Sequence, residues 1–129
     1  MWRQSVGDRH QFIAVAYSNI GSVCLDQKNY ACAEQNFREA IRRLEATSKD
    51  SLNTYVAHLK LGRTLLREGR YQDALTDTSL AYAYLVKHVS ATNGFLMASR
   101  KDLAAIYEGL KDKKRAVAMR DEIASASPR

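Results

Sequence analysis

The side chains that could catalyse a reaction or bind a metal are few and stand far apart along the chain. The three histidines, His10, His58 and His88, belong to different helical patterns, and none has a Cys, Asp or Glu at the spacing of a metal-ligand pair. The sequence contains no glycine-rich phosphate loop, nucleophile elbow or HExxH motif. His58 falls on a core-facing position, which favours a packed histidine over a ligand. The sequence therefore predicts a protein that is not an enzyme, with no catalytic residue, bound metal or cofactor.

The two cysteines do not indicate a metal site. Cys24 and Cys32 lie eight residues apart, which matches neither a CxxC motif nor the spacing of zinc ligands. We expect both to be small, buried helix residues with free thiols in a reducing compartment. Residues 1–8 lack the apolar stretch of a signal peptide, and no apolar run approaches the ~20 residues that span a bilayer. The sequence therefore predicts a cytoplasmic protein with no membrane segment.

The charge of the chain is basic but evenly mixed. Lys and Arg number 20 against 14 Asp and Glu, which gives a formal net charge of +6. Both signs occur in every part of the sequence, and the densest basic run, residues 111–115, includes an aspartate and no aromatic residue. Such mixing is typical of solvated helix faces, and it argues against a nucleic-acid-binding surface.

The composition and a repeated pattern indicate helices. The only proline is Pro128, and the six glycines are too few for a loop-rich β protein. Aligning the chain with itself places Gly21, Gly62 and Ala104 at equivalent positions, 41 and 42 residues apart, and three alanines repeat at the same spacing: Ala33, Ala74 and Ala116. Apolar residues recur at helical intervals around both sets. We therefore predict six antiparallel helices near residues 9–26, 30–46, 51–67, 71–89, 94–109 and 113–125.

Small residues at equivalent positions indicate close helix contacts. Gly21 and Gly62 fall where the first helix of each pair meets its neighbours, and a missing side chain lets helix axes approach to the short end of the ~8–10 Å range. A glycine inside a helix costs ~1 kcal/mol relative to alanine, so two at one repeat position indicate a packing role. Gly69 is expected to adopt a left-handed conformation after the end of the third helix. Asp50 or Ser51 is expected to cap the start of the third helix, and Asn93 the start of the fifth.

These patterns resemble the tetratricopeptide repeat. In that repeat, the first helix has an aromatic position, a Leu-Gly pair and a Tyr position. A turn follows, and the second helix has Tyr, Ala, Phe and Ala positions. The second unit keeps Leu61-Gly62 and Gly69-Arg70-Tyr71, while His58 and Thr78 replace aromatic residues. The first unit matches most fully, at Tyr17, Ile20-Gly21, Cys24, Tyr30, Ala33, Phe37 and Ala40.

The third unit matches less well. It keeps Leu103-Ala104 and Tyr107, but Arg100 stands where an aromatic residue is expected. A terminal repeat meets solvent on one side, which is consistent with charged residues at such positions. The pattern of its second helix runs through Lys113, Ala116, Arg120 and Ile123.

The resemblance implies an all-α fold, a right-handed α-solenoid of three tetratricopeptide-like helical hairpins with a concave groove that receives peptides or helices of partners. We treat residues 1–129 as one such domain, with repeats at about 9–47, 50–89 and 93–125. The period exceeds the usual ~34 residues by about one helical turn per helix. In this respect the chain is similar to the longer-helix subgroup found in kinesin light chains and bacterial signalling proteins.

Candidate binding residues lie on a stripe of the first helices, away from the core. At 100° per residue, three cations of the third helix share this stripe, and stacked repeats bring polar residues of the first helix beside them. The predicted groove residues are Asn19, Ser22, Lys60, Arg63, Arg67 and Lys101.

Two interpretations of this stripe remain open, a binding surface and a solvated face. In the second, Lys60 pairs with Asp102 and Arg67 with Asp26, as exposed salt bridges worth ~0–1 kcal/mol each. That arrangement leaves Arg63 as the groove cation without a partner. A guanidinium can bind a carboxylate through two parallel hydrogen bonds.

The sequence thus predicts a protein–protein interaction module that binds an acidic or C-terminal peptide segment, as part of a larger signalling or regulatory protein. The alternative is a structural self-assembly module. The chain ends soon after Ile123, without the solvating helix that often follows the last repeat in this family. We therefore expect Val117 and Met119 to be partly uncovered, and to support a weak homodimer through the helix at residues 113–125.

Overall fold

The computed structural model describes residues 6–126, which form α-helices joined by short turns, with no strand among them. The predicted all-α repeat architecture is confirmed, and every helix boundary lies within a turn of its predicted position. None of the helices in this described part is long and apolar enough to cross a membrane. The helices are α1 (Val6–Asp26), α2 (Tyr30–Ser48), α3 (Leu52–Arg67), α4 (Tyr71–His88), α5 (Gly94–Gly109) and α6 (Lys113–Ala126).

The helices pack as three antiparallel pairs, α1 with α2, α3 with α4 and α5 with α6. Contacts of α2 with α3 and of α4 with α5 join consecutive pairs into one stack. The odd-numbered helices also touch one another, α1 with α3 and α3 with α5, whereas the described parts of α2, α4 and α6 do not. The stack is therefore curved, and its concave side is formed by α1, α3 and α5.

The turn inside each pair has the same conformation in all three units. Its central residue has a positive φ, which is 61° at Lys28, 77° at Gly69 and 63° at Lys111. In the second unit the amide of Arg70 donates to the carbonyl of Leu65 at 2.9 Å, and the other two turns have the equivalent bond. Only the glycine was predicted, because a lysine in the left-handed region carries no signal of its own in the sequence.

Side chains cap the first turns of α2, α3 and α5. Ser51 Oγ accepts a hydrogen bond from the amide of Thr54 at 3.3 Å, and Asn93 Oδ1 accepts one from the amide of Phe95 at 2.9 Å. The predicted caps of α3 and α5 are therefore confirmed, with Ser51 rather than Asp50 at the third helix. Asn29 caps α2 in the same way, although it was not predicted.

The glycines of α1 and α3 lie at close helix contacts, as predicted. A β-carbon at Gly62 would overlap Thr78 Oγ1 and would lie 3.2 Å from the Thr78 amide nitrogen. At Gly21 it would lie 2.8 Å from the ring of Phe37. These contacts border a buried core that runs through all three units and includes Ala14, Phe37, Leu44, Leu61, Leu65 and Ile106.

The packing of α6 corrects the predicted register of the third unit. Ala116 is buried as expected, but the next buried residue is Met119, whereas Lys113 and Arg120 are exposed. Met119 packs in a cluster with residues of α5 and is 8% exposed. The prediction that Met119 is uncovered was therefore wrong, and only Val117 remains as a large exposed apolar side chain of α6. The exposure of Lys113 and Arg120 agrees with a terminal repeat that meets solvent on one side.

The prediction of free cysteines was wrong, because Cys24 and Cys32 form a disulfide with their Cα atoms 5.8 Å apart. Cys24 lies near the end of α1 and Cys32 in the first turn of α2. The tight turn between these helices brings the two residues within the Cα separation that a disulfide requires. The cysteines therefore no longer support the expectation of a reducing, cytoplasmic setting.

Candidate protein-binding surface

A cleft opens on the concave side of the stack. It has a volume of about 200 Å³ and lies mainly between α1, α3 and α5. Two of the predicted site residues, Asn19 and Lys60, line it. The full set of lining residues is Val15, Ser18, Asn19, Leu44, Asn53, Val56, Lys60 and Phe95.

Lys60 is the cation that lines this cleft. Its Nζ donates a hydrogen bond to Ser22 Oγ at 3.1 Å, so the two predicted residues are brought together. Burial lowers the pKa of the Lys60 ammonium, Arg63 lowers it further, and the Asp26 carboxylate raises it. Within the described part of the chain, no carboxylate lies in ion-pair contact with Lys60. The expected Lys60–Asp102 pair is therefore wrong.

Arg63, expected to lack a partner, is engaged instead. Its Nε donates to Asp102 Oδ2 at 3.2 Å, which joins α3 to α5. The Arg63 side chain is 32% exposed and that of Asp102 is 12% exposed. Burial raises the pKa of Asp102, and the positive charge of Arg63 lowers it again by a smaller amount. Arg63 therefore stabilises the contact between two units, and a ligand would have to compete with Asp102 for its guanidinium.

The pairing was mispredicted because contacts between units are oblique. Ser22 is aligned with Arg63 by the repeat but contacts Lys60, one turn earlier in α3. Arg63 is likewise aligned with Ala105 but contacts Asp102, one turn earlier in α5. At both interfaces the contacting residue lies one turn before the aligned residue. This is expected when each unit is rotated in the same direction relative to the one before it. Alignment of equivalent positions cannot show this offset.

The remaining predicted site residues are exposed. Arg67, at the end of α3, helps to lower the pKa of Asp102 and forms no salt bridge with Asp26 in the described structure. The expected Arg67–Asp26 pair is therefore also wrong. Lys101 occupies the repeat position of Leu59, which is buried against α4 and α5. Lys101 thus lies on the side of α5 that faces away from the preceding unit, and the structure does not bring it into the cleft.

Sequence reasoning missed several residues of the cleft. Phe95 is 41% exposed and contributes apolar surface, and Asn53 adds a side-chain amide. Val15 and Val56 lie one turn before Asn19 and Lys60 on the same stripes, but no role was predicted for them. Phe95 lies one turn before Ala98, which the repeat aligns with Val56, so extending the stripe of α5 by one turn would have found it.

His58 is packed, as its sequence position indicated. Its Nδ1 lies 2.8 Å from Asp77 Oδ1, and its side chain is 12% exposed. No group of three or more His, Cys, Asp or Glu side chains in the described residues could hold a metal ion.

Comparison with known families agrees with this architecture. The tetratricopeptide repeat family matches residues 12–83, more than half of the 129-residue chain. A search of curated proteins found no significant relative. The chain therefore belongs to the tetratricopeptide repeat family, whose repeats generally mediate protein–protein interactions and are typically non-catalytic.

Proposed function

We propose that the concave face binds an acidic or C-terminal segment of a partner protein, with Lys60 as its principal charged contact. The observation that carries this proposal is a half-buried ammonium that donates to a neutral hydroxyl and forms no ion pair among the described residues, in a cleft with partly apolar walls. This differs from the expectation from sequence, in which Arg63 was the main contact.

The surroundings of Lys60 favour a carboxylate ligand. Removing an ammonium from water is costly unless an opposite charge compensates for it. Here burial lowers the Lys60 pKa, and Ser22 satisfies only one of its three N–H donors. A carboxylate of a bound peptide would accept from the remaining donors and restore the lost solvation.

The cleft beside Lys60 suits the rest of a peptide. Val15, Val56 and Phe95 supply apolar surface for one side chain of a ligand. Asn19 and Asn53 border the same space, and their amides can both donate to and accept from a peptide backbone. The expected ligand is therefore an extended segment with an apolar residue close to a carboxylate.

The test begins with a library of short peptides presented with free C-termini. The best binder and its C-terminal amide are then titrated by fluorescence anisotropy against wild type, Lys60→Glu and Lys114→Glu. Lys114 is exposed on α6 and gives the same change in net charge. We expect Lys60→Glu to weaken binding by about ten- to a hundredfold, since a charge-assisted hydrogen bond contributes about 1.5–3 kcal/mol.

A second variant, Arg63→Gln, separates the two cations of α3. Because Arg63 is occupied by Asp102, we expect it to weaken peptide binding less than Lys60→Glu does. Thermal unfolding of each variant checks that the fold is retained. Equal affinities of wild type, Lys60→Glu and Lys114→Glu would place the binding surface elsewhere.

A further inference from the structure

The outer face of α1 carries an unusual number of exposed apolar side chains. Phe12 is 73% exposed, Val23 56%, Ile20 49% and Ile13 37%. Ala16 is exposed among them. At 100° per residue these positions share one side of the helix, opposite the buried residues that face α2. We call this surface the α1 stripe: Phe12, Ile13, Ala16, Ile20 and Val23.

The repeat shows what kind of surface the α1 stripe is. Moving 41 residues along the chain maps its last three members onto Ala57, Leu61 and Thr64 of α3, which are at most 1% exposed. These residues are covered because α2 packs on α3. Moving another 42 residues along the chain gives the equivalent residues of α5, which are Ser99, Leu103 and Ile106. These residues are at most 2% exposed, because α4 packs on α5. The α1 stripe is therefore a surface shaped to receive an apolar helix.

The opposite end of the same molecule matches the α1 stripe poorly, because charged side chains of α5 are exposed there beside α6. In the third unit, Lys101 stands at the repeat position of Leu59, and Glu108 stands at that of Leu66. Both charged residues are exposed. Stacking two copies end to end would therefore set charges against the α1 stripe, at an uncompensated desolvation cost.

We propose that the α1 stripe binds the α1 stripe of a second copy, which forms a two-fold symmetric dimer of antiparallel α1 helices. With the axis midway between Ala16 and Ile20, each Ala16 faces Ile20 of the other copy, and a small residue meets a large one. Ile13 faces Val23 of the other copy. Arg9 lies opposite Gln27, so no like charges meet. Such self-complementarity is what a two-fold interface requires.

This dimer is compatible with the proposed peptide site. The α1 stripe lies on the side of α1 away from α3, whereas the cleft lies between these helices. The interface is about one helix long, so we expect association at the weak end of specific complexes. Loss of the dimer and loss of peptide binding are therefore separable, because they depend on Ile20 and Lys60 respectively.

Sedimentation equilibrium of the full chain at concentrations up to about several hundred micromolar tests the interface. The variants are Ile20→Glu and a matched control, Val117→Glu, whose side chain is 50% exposed on α6. We expect wild type and Val117→Glu to dimerise equally, and Ile20→Glu to raise the dissociation constant at least about tenfold. Both positions are exposed, so helicity measured by circular dichroism should not change.

A mixing experiment tests the antiparallel register. Ala16→Lys and Ile20→Glu should each be monomeric alone, whereas an equimolar mixture should form a heterodimer through the ammonium and carboxylate so introduced. A wild-type chain that stays monomeric throughout the concentration range would overturn the proposal. A dimer disrupted by Val117→Glu but not by Ile20→Glu would also overturn it, in favour of assembly through α6.

Discussion

The second and third units have the same helices and the same turn, but they use equivalent positions differently. The second unit packs on a neighbour at both ends, with Leu59 buried against α5, and inside the unit Gly62 lets α3 approach α4. Among the described residues the third unit packs on a neighbour at one end, and Lys101 replaces the leucine. At the position of His58, it has the buried Arg100. The packing of the second unit therefore depends on steric fit, whereas the third unit has charged side chains at the equivalent positions.

The closing element of the third unit is a polar network. Arg100 Nε donates to Glu122 Oε1 at 3.0 Å, and the hydroxyl of Tyr82 hydrogen-bonds to the same oxygen. The Arg100 side chain is 8% exposed and that of Glu122 is 36% exposed. Burial, followed by the bond to Glu122, raises the pKa of Tyr82. The network links α4, α5 and α6 where the core of the stack comes to an end.

The close helix contact at Gly62 predicts the largest effect on stability. Gly62→Leu should lower the free energy of unfolding by about 1–3 kcal/mol, because its β-carbon alone would overlap Thr78. Gly94→Leu is the matched control, since nothing lies within 4 Å of a β-carbon there. Its effect should stay within about 0.5 kcal/mol. Urea unfolding measures both, and equal losses would mean that Gly62 has no special packing role.

The ion pair of Arg100 and Glu122 predicts that loss of one partner destabilises the fold more than loss of the other. Glu122→Ala leaves the buried Arg100 guanidinium uncompensated, so it should cost about 1–3 kcal/mol of unfolding free energy. Arg100→Met should cost less, within about 1 kcal/mol, because Glu122 retains access to water and the methionine fills apolar space. Thermal unfolding of the two variants under identical conditions compares them. A larger loss for Arg100→Met would show that the guanidinium stabilises the unit through packing.

The turns predict a smaller effect of opposite sign. Gly69 adopts the left-handed conformation without strain, whereas Lys111 adopts it at the equivalent turn of the third unit. Lys111→Gly should therefore raise the free energy of unfolding, by about 0.5–1 kcal/mol. Lys114→Gly, inside α6, should lower it by about 1 kcal/mol. Chemical denaturation measures the two differences, and a loss of stability in both variants would contradict the backbone argument.

The contact between the two units predicts a pH dependence. Because burial raises the pKa of Asp102, the folded state binds its proton more tightly than the unfolded state does. This contribution to stability is fully present below the ordinary pKa of about 3.9, and it is lost as the pH rises through the higher folded-state value. Asn does not titrate, so the Tm of Asp102→Asn minus that of wild type should increase from about pH 3.5 to 7. A decrease would mean that pairing with Arg63 outweighs burial.

Much of the fold could be predicted because its signals are local. The spacing of Gly21 and Gly62 identified the repeat, and Ser51 and Asn93 marked the starts of helices. The site was predicted only in part. Asn19, Ser22 and Lys60 lie together on the concave side, because the helical period alone decides which residues share a stripe. Their partners across units were wrong, since those depend on the rotation between successive units.

The sequence by itself determined the helices, the repeat and the tetratricopeptide family, because backbone preference and apolar period act over a few residues. Only the tertiary structure decided which groove cation forms an ion pair among the described residues, that Cys24 and Cys32 are bonded, and that Met119 is covered. It also distinguished the exposed α1 stripe from the buried sets equivalent to it in α3 and α5. Equivalent residues share a local pattern, but their burial depends on whether another helix lies beside them. That neighbour is a property of the stack and not of the repeat.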